Sequence, residues 1–356
     1  MATAASSPET ASNTISRPPT ALEVAWDRTF LVLTHAFAWL IVLLVIGVVL
    51  RIAIGALPSI RQDGLGFLTG QEWDTREGYE QYGILPAIWG TLYSSFLALI
   101  VGTVFGVAVA VFLSEKLLST AVFNLLKVFN VQFHPFWGSL PDRIEGLLKN
   151  LVELLAAIPS VVYGLWGIFV VIPMIQPWCE ALTERLWWLP IFGEDANGPI
   201  HLGGPALLPA ALVLAIMILP TISAISRDAL VSVPPKLREA AYGLGATRWE
   251  AVMGVTLPTA AGGIFGSIIL GFGRALGETM ALAMLAGGGS NLSWSLFKPV
   301  NTLAALLANN FSDVSGPRQV PSLMYAALVL LGITLVVNML GAFIVQRAAP
   351  RTKGAR

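Results

Sequence analysis

Six stretches of the chain are apolar for long enough to cross a bilayer, approximately 30–50, 84–113, 150–175, 205–226, 259–287 and 322–346. A hydrocarbon core of about 30 Å takes about 20 residues of helix, and within it a helix satisfies all of its own backbone polar groups. The pattern therefore predicts an all-α polytopic membrane protein with six transmembrane helices. The first run is too long for a secretory signal and is followed by Ile52-Ala53-Ile54 rather than a small-residue cleavage site, so an uncleaved span is expected. Ahead of it, residues 1–22 are rich in Ala, Ser, Thr and Pro and cannot bury a core. The expected organisation is a disordered leader over 1–29, a first transmembrane helix with its outer loop over 30–83, a transmembrane domain over 84–346 and a tail over 347–356.

Orientation follows from where the Lys and Arg residues fall. The leader, the 114–149 segment, the 227–258 loop and the tail after 346 hold 14 of the 21, and the three other loops hold 6. Both termini are thereby expected in the cytoplasm. The outer segment 176–204 carries Trp178, Trp187, Trp188 and Phe192, which reads as an aromatic belt at the membrane surface.

Composition narrows the function. Of 356 residues 55% are hydrophobic and 12% charged, where soluble domains carry about a quarter charged residues. Basic and acidic residues balance at 21 each, so the chain lacks the excess that marks nucleic-acid binding. One cysteine, Cys179, and three dispersed histidines supply no metal cluster, and neither HExxH, GxSxG nor a phosphate-binding GxxxxGK[ST] occurs.

Three ionisable residues interrupt the apolar spans, and each costs about 2.5–3.5 kcal/mol at a helix centre, which makes them functional candidates. Glu153 sits near the start of the third span, within reach of the interface. Arg274 and Glu278 lie deep in the fifth, and their i,i+4 spacing is expected to stack both heads on one helix face. Arg274 is about 22 Å along from Thr259 at 1.5 Å per residue. The pair reads either as a structural bridge or as the lining of a polar pathway. Gly273 with Gly277, and Gly262 with Gly266, form GxxxG pairs suited to close helix packing. Pro159 and Pro220 kink their spans, and Ser160, Tyr163, Thr221 and Ser223 beside them could face a cavity.

The loop from Arg227 to Pro258 is longer than a connector requires. A Pro234-Pro235 pair ends one element, Glu239-Ala240-Ala241 favours helix, and Gly243 and Gly245 permit a turn before a second amphipathic piece. A helix-turn-helix with a contact surface is the expected result.

These residues resemble the EAA loop of ABC-importer permeases, EAAxxxGxxxxxxxxx(I/V)xLP, matched by Glu239, Ala240, Ala241, Gly245, Val255, Leu257 and Pro258. Three further stretches, ELLAAIPSVVYGLWG (Glu153 to Gly167), LAIMILPT (Leu214 to Thr221) and GRALGETM (Gly273 to Met280), are similar to the permease subunits of phosphate importers, of the PstC rather than the PstA type. The resemblance spans roughly residues 84–346. It implies a type I ABC importer permease (MetI-like) fold in the bacterial inner membrane. It also implies a homologous second permease (PstA type), an ATPase dimer (PstB type) that binds ATP and Mg and docks on Glu239, Ala240, Ala241, Gly245, Leu257 and Pro258, and an extracytoplasmic phosphate-binding protein (PstS type). The permease itself would need no cofactor and would not be an enzyme. Arg274, Glu278, Ser160 and Tyr163 would line the phosphate pathway, with Arg274 as a bidentate donor and Glu278 accepting the O–H that phosphate retains and sulfate lacks. A sulfate or molybdate permease, and a channel or scaffold that binds no ATPase, are the alternatives.

Overall fold

The computed structural model describes residues 20–76, 79–115, 140–192, 202–314 and 316–348. The leader before residue 20, most of the 114–149 segment, residues 193–201 and the tail beyond 348 lie outside the described residues. Among the described residues, six helices are long and apolar enough to cross a membrane. The chain divides into two units, residues 1–51 and 52–356.

Helix α1 (Ala21–Asp63) begins in the first unit and ends in the second. It starts at Ala21, well before residue 30, because Thr20 and Glu23 form reciprocal caps: Glu23 Oε2 accepts from Thr20 N at 2.7 Å, and Thr20 Oγ1 accepts from Glu23 N at 3.4 Å.

In the second unit, α2 (Gly66–Thr69) and an antiparallel pair, β1 (Trp73–Asp74) with β2 (Gln81–Tyr82), lead into α3 (Leu85–Ser114). After α4 (Leu140–Ala157) come α5 (Ser160–Trp166), a π turn over Gly167–Val171 and α6 (Ile172–Leu186). Then follow α7 (Leu207–Val231), α8 (Pro235–Gly243) and α9 (Arg248–Ala251). A second π turn (Val252–Thr256) opens α10 (Leu257–Leu276), and α11 (Met280–Leu285), α12 (Leu303–Phe311) and α13 (Gln319–Ala348) complete the unit.

The third span differs from its expected position. It runs over Ser160–Leu186 rather than 150–175. Pro159 disfavours helical conformation in the residue before it, so α4 stops at Ala157 and a new helix starts beyond. Apolar residues 150–157 belong to α4, an amphipathic helix whose polar stripe includes Glu145, Lys149 and Glu153 at i,i+4 spacing. Glu153 is consequently not an intramembrane charge: it is exposed and pairs with Lys149 at 3.6 Å. Trp178, expected in a loop, lies in α6 instead and is exposed there.

The core centres on α3 and α7. Gly102 and Gly106 of α3 bring its backbone against Ile218 and Ile222 of α7, and Gly271 of α10 meets Ile222 from another side. Ser226 and Ser267 join α7 to α10 through buried hydroxyls 2.7 Å apart. Close packing falls on Gly263 against Ala229, Gly273 against Asn338 and Gly341 against Ile269. Gly266 and Gly277 of the expected GxxxG pairs meet no neighbouring helix.

The end of the second unit that holds residues 227–258 is called the lower end below, and the opposite one the upper. At the upper end, segment 287–302 covers the start of α7, with Leu207 N and Leu208 N donating to Lys298 O and Leu296 O at 3.1 and 2.8 Å. Beside it, Phe67, Tyr82, Ile84, Leu303 and Tyr325 form a second core. Arg318 ties this lobe together, pairing with Asp63 at 3.0 Å and Glu80 at 3.5 Å. Hydrogen bonds from Arg76 hold the Asp74 carboxyl down at about 2.

A methyl at Gly90 of α3 would overlap the carbonyl oxygen of Asn301, a backbone atom that cannot rotate away. Gly90→Ala should destabilise the protein by about 1–3 kcal/mol, read as a lower melting temperature in detergent. Gly254→Ala, where nothing lies within 4 Å, should leave it nearly unchanged.

Candidate functional site

The lower-end loop is assembled from local signals. Pro235 supplies the fixed φ that suits the first turn of α8. At its other end Ala246 N donates to Ala241 O and Gly245 N to Tyr242 O, both at 3.0 Å, with Gly245 at φ +87°. This is a Schellman stop, and the left-handed residue it needs is the glycine. Thr247 and Glu250 then cap α9 reciprocally, Glu250 Oε2 accepting from Thr247 N at 2.7 Å. Pro258 lacks the N–H that would continue an α ladder, and the chain widens into a π turn immediately before it.

The loop presents its motif outward. No residue of α8 is buried. Glu239, Ala240, Gly245 and Pro258 are exposed, Ala241 is half-buried, and Leu257 packs against the cluster of Leu230, Val233 and Ile264. Leu237, Tyr242, Leu244 and Trp249 are exposed around them, Leu244 at 90%. Large apolar side chains held in water on a short polar loop mark a contact surface. Leu244 and Trp249 stand outside the motif positions; the sequence signal for them is their position on either side of the glycine turn.

A buried carboxylate fastens this loop to the bundle. Glu115, directly after α3, has a side chain only 5% exposed, and Arg238 of α8 places Nη1 3.1 Å from its Oε1 as an ion pair. Arg238 Nη2 also donates to Leu230 O at 2.8 Å. Arg248 of α9 donates to the Glu115 carbonyl. Both loop helices are thus gripped at one residue, which the sequence marks only as the charge ending the second apolar run.

The second locus lies at the upper end of the fifth span, which runs over Arg248–Leu276 rather than 259–287, so Arg274 stands in its last turn and Glu278 just beyond it instead of deep inside. Arg274 and Glu278 do not share one continuous helix, which corrects the expected i,i+4 stacking. Helix α10 ends at Leu276, Gly277 forms its C-cap, and Glu278 N donates to Ala275 O in the break before α11. Arg274, in the last turn of α10, is exposed and donates from Nη1 to Thr221 Oγ1 of α7 at 3.3 Å. Its position also suits the negative end of the helix dipole. Glu278 is half-buried, and among the described residues no ion pair joins the two.

Ser160 begins α5 and is half-buried. Tyr163 is buried, and its hydroxyl donates to Leu155 O of α4 at 2.8 Å, satisfying a carbonyl left open by the break at Pro159. Gly164 sets α5 against Ala281 and Met284 of α11. Ser160, Tyr163, Arg274 and Glu278 make no hydrogen bond with one another among the described residues. In α7, Pro220 is buried and Ser223 Oγ donates to its carbonyl at 3.1 Å.

Membrane-crossing helices, a charged break at the end of one of them and an exposed loop at one end of the bundle are the features of a multi-pass transport protein. The sequence profile of the family described as binding-protein-dependent transport system inner membrane component matches residues 136–354, and the chain belongs to that family. It is 38% identical to the phosphate transport system permease protein PstC of Pasteurella multocida over 88% of this chain and 90% of that one. Identity to the protein of the same name in Haemophilus influenzae is 38% over 90% and 93%, and in Mycobacterium leprae 34% over 80% and 82%. A solved bacterial alginate ABC transporter in complex with an alginate-bound periplasmic protein shares the fold, with a TM-score of 0.58 and 16% identity over 91% of this chain and 96% of that one.

If the Tyr163 hydroxyl acts structurally, Tyr163→Phe leaves the Leu155 carbonyl without its donor and should cost about 1 kcal/mol. Thermal melting of the purified variant checks this, and transport at permissive temperature should stay near wild type.

Proposed function

We propose that this inner-membrane permease subunit carries inorganic phosphate inward by alternating access, as half of a translocation pathway completed by a homologous second permease of the PstA type. The lower end then faces the cytoplasm, as do both termini. An ATPase dimer of the PstB type, which binds ATP and Mg, docks on the exposed loop, and a phosphate-binding protein of the PstS type delivers cargo at the upper end. Hydrolysis belongs to the partner chain.

The observation that carries this reading is the state of Arg274. Its side chain is exposed near the end of a membrane-spanning helix, and its hydrogen bond among the described residues goes to a neutral hydroxyl. A guanidinium without a carboxylate partner is too costly to face lipid and suits a pathway for an anion, which it can hold through two parallel bonds. Glu278, set apart by the helix break, is left to test the cargo for a proton: a phosphate O–H donates to it, and sulfate is repelled. Ser160 lines the entry to α5, and Tyr163 fixes that helix across the Pro159 break. At the loop, Glu239, Ala240, Ala241 and Gly245 form the surface that meets the ATPase, with Leu244 and Trp249 as apolar anchors, while Leu257 and Pro258 join it to α10.

ATP hydrolysis by the assembled complex in lipid, with the binding protein loaded with phosphate, sulfate or molybdate, tests the cargo. Phosphate alone should stimulate, and equal stimulation by another anion would transfer the site to that anion. Arg274→Ala should lower phosphate uptake in intact cells by about tenfold or more, the weight of a lost charge-assisted bond, and Arg274→Lys should recover part of it. Full uptake by the alanine variant would remove Arg274 from the pathway. Gly245→Ala meets no neighbour within 4 Å, yet its left-handed φ costs about 1–2 kcal/mol. It should therefore weaken co-purification of the ATPase without disturbing the bundle.

A further inference from the structure

Helix α3 has attachments at both ends that the transport reading leaves unexplained. In the second unit most spans are interrupted: a π turn divides α5 from α6, Pro220 lies inside α7, and α10 is opened by a π turn and closed by the break at Gly277. Helix α3 runs for 30 residues with proline only in its first turn, a length of about 45 Å.

Its lower end is held by the Glu115 grip on Arg238 and Arg248 and by Ala110 within a small apolar cluster. Unlike α7 and α10, which the chain itself joins to the loop, α3 meets the loop through packing and polar contacts among the described residues, Val107 and Val111 joining Ala110 in the cluster. Its upper end is fastened to segment 287–302 and the start of α12. Trp89 Nε1 donates to Ser293 O at 3.0 Å, Tyr93 Oη donates to Trp294 O at 2.9 Å, and Leu303 N donates to Thr91 Oγ1 at 2.8 Å. The Trp294 ring packs edge-on against Trp89 at 4.4 Å. Gly90 allows backbone contact with Asn301.

We infer that α3 is a transmission rod: displacement of the loop helices, gripped at Glu115, is delivered through α3 to segment 287–302 at the opposite end. This rests on the reading of the loop as the ATPase dock. Because coupling free energy between two sites is reciprocal, binding at the upper segment also acts on the loop through the same helix. Glu115 and Trp89 are positioning residues in this scheme, since neither touches cargo or nucleotide.

The test uses the complete importer in lipid, with ATPase and binding protein. Glu115→Gln keeps the shape and removes the charge, and Trp89→Phe removes a single N–H donor at the far end of the rod. Both variants should assemble with the ATPase and keep basal hydrolysis within about twofold, yet lose stimulation by phosphate-loaded binding protein by about five- to tenfold, within the range of ordinary site-to-site coupling. Stimulation at the wild-type level in either variant overturns the rod. Loss of ATPase assembly in Glu115→Gln also overturns it, because the carboxylate would then serve docking alone. A wild-type complex that fails to bind the ATPase or respond to loaded binding protein would instead defeat the transport reading itself.

Discussion

Inside a bilayer every break in a helix leaves backbone groups that water cannot satisfy, and the arrangement of this protein follows from how each break is met. At Pro159 the open Leu155 carbonyl receives the Tyr163 hydroxyl. Before Pro258 the ladder widens into a π turn, with Thr256 Oγ1 reaching Ala251 O at 3.4 Å. After Arg274 the chain closes through short bonds from Gly277 and Glu278 to the last carbonyls of α10. Interrupted spans become possible only because these partners lie within one or two turns. The cost is local, so a long unbroken helix can still pass between them.

The same constraint sets the electrostatics. Had Arg274 and Glu278 stood on one uninterrupted helix, mutual neutralisation would have been their natural state, as for Lys149 and Glu153 on α4. The break at Gly277 separates them, and Arg274 is matched by a hydroxyl of α7 instead. A charge with a neutral neighbour keeps most of its field for a mobile ion, whereas a closed pair offers little. Glu115 illustrates the opposite choice at the lower end: buried, and matched by a guanidinium at 3.1 Å. A carboxylate removed from water requires such a partner, and a partner drawn from another element fixes that element in place.

Much of this was legible in the sequence, and the failures have physical causes. Apolar length was enough to find six spans, and the loop motif announced its own turn through Gly245. Apolar length could not place the third span, because residues 150–157 are as hydrophobic as a membrane segment while belonging to an amphipathic helix. The decisive letter was Pro159, whose effect on the preceding residue outweighs the run of leucines. The start of α1 was likewise written in Thr20 and Glu23, a capping pair that a hydropathy reading passes over. GxxxG spacing identified helices that pack closely but not the packing residues, since which face meets a neighbour depends on the tertiary arrangement. Glu115 could not have been found by pattern, as its partners stand 123 and 133 residues further along.

Adjacent residues of α8 divide two tasks. Successive positions on a helix project about 100° apart, so Arg238 turns inward to Glu115 and to the Leu230 carbonyl while Glu239 faces solvent. The inward residue fixes the helix to the bundle and the outward one is free to meet a partner. Ala240, small and exposed, and Ala241, half-buried, keep the space between these faces narrow, and the Schellman stop at Gly245 prevents the helix from continuing past its grip. A force applied to the outer face therefore has a short, rigid path to Glu115. A longer helix or a flexible turn would absorb the displacement before it reached α3.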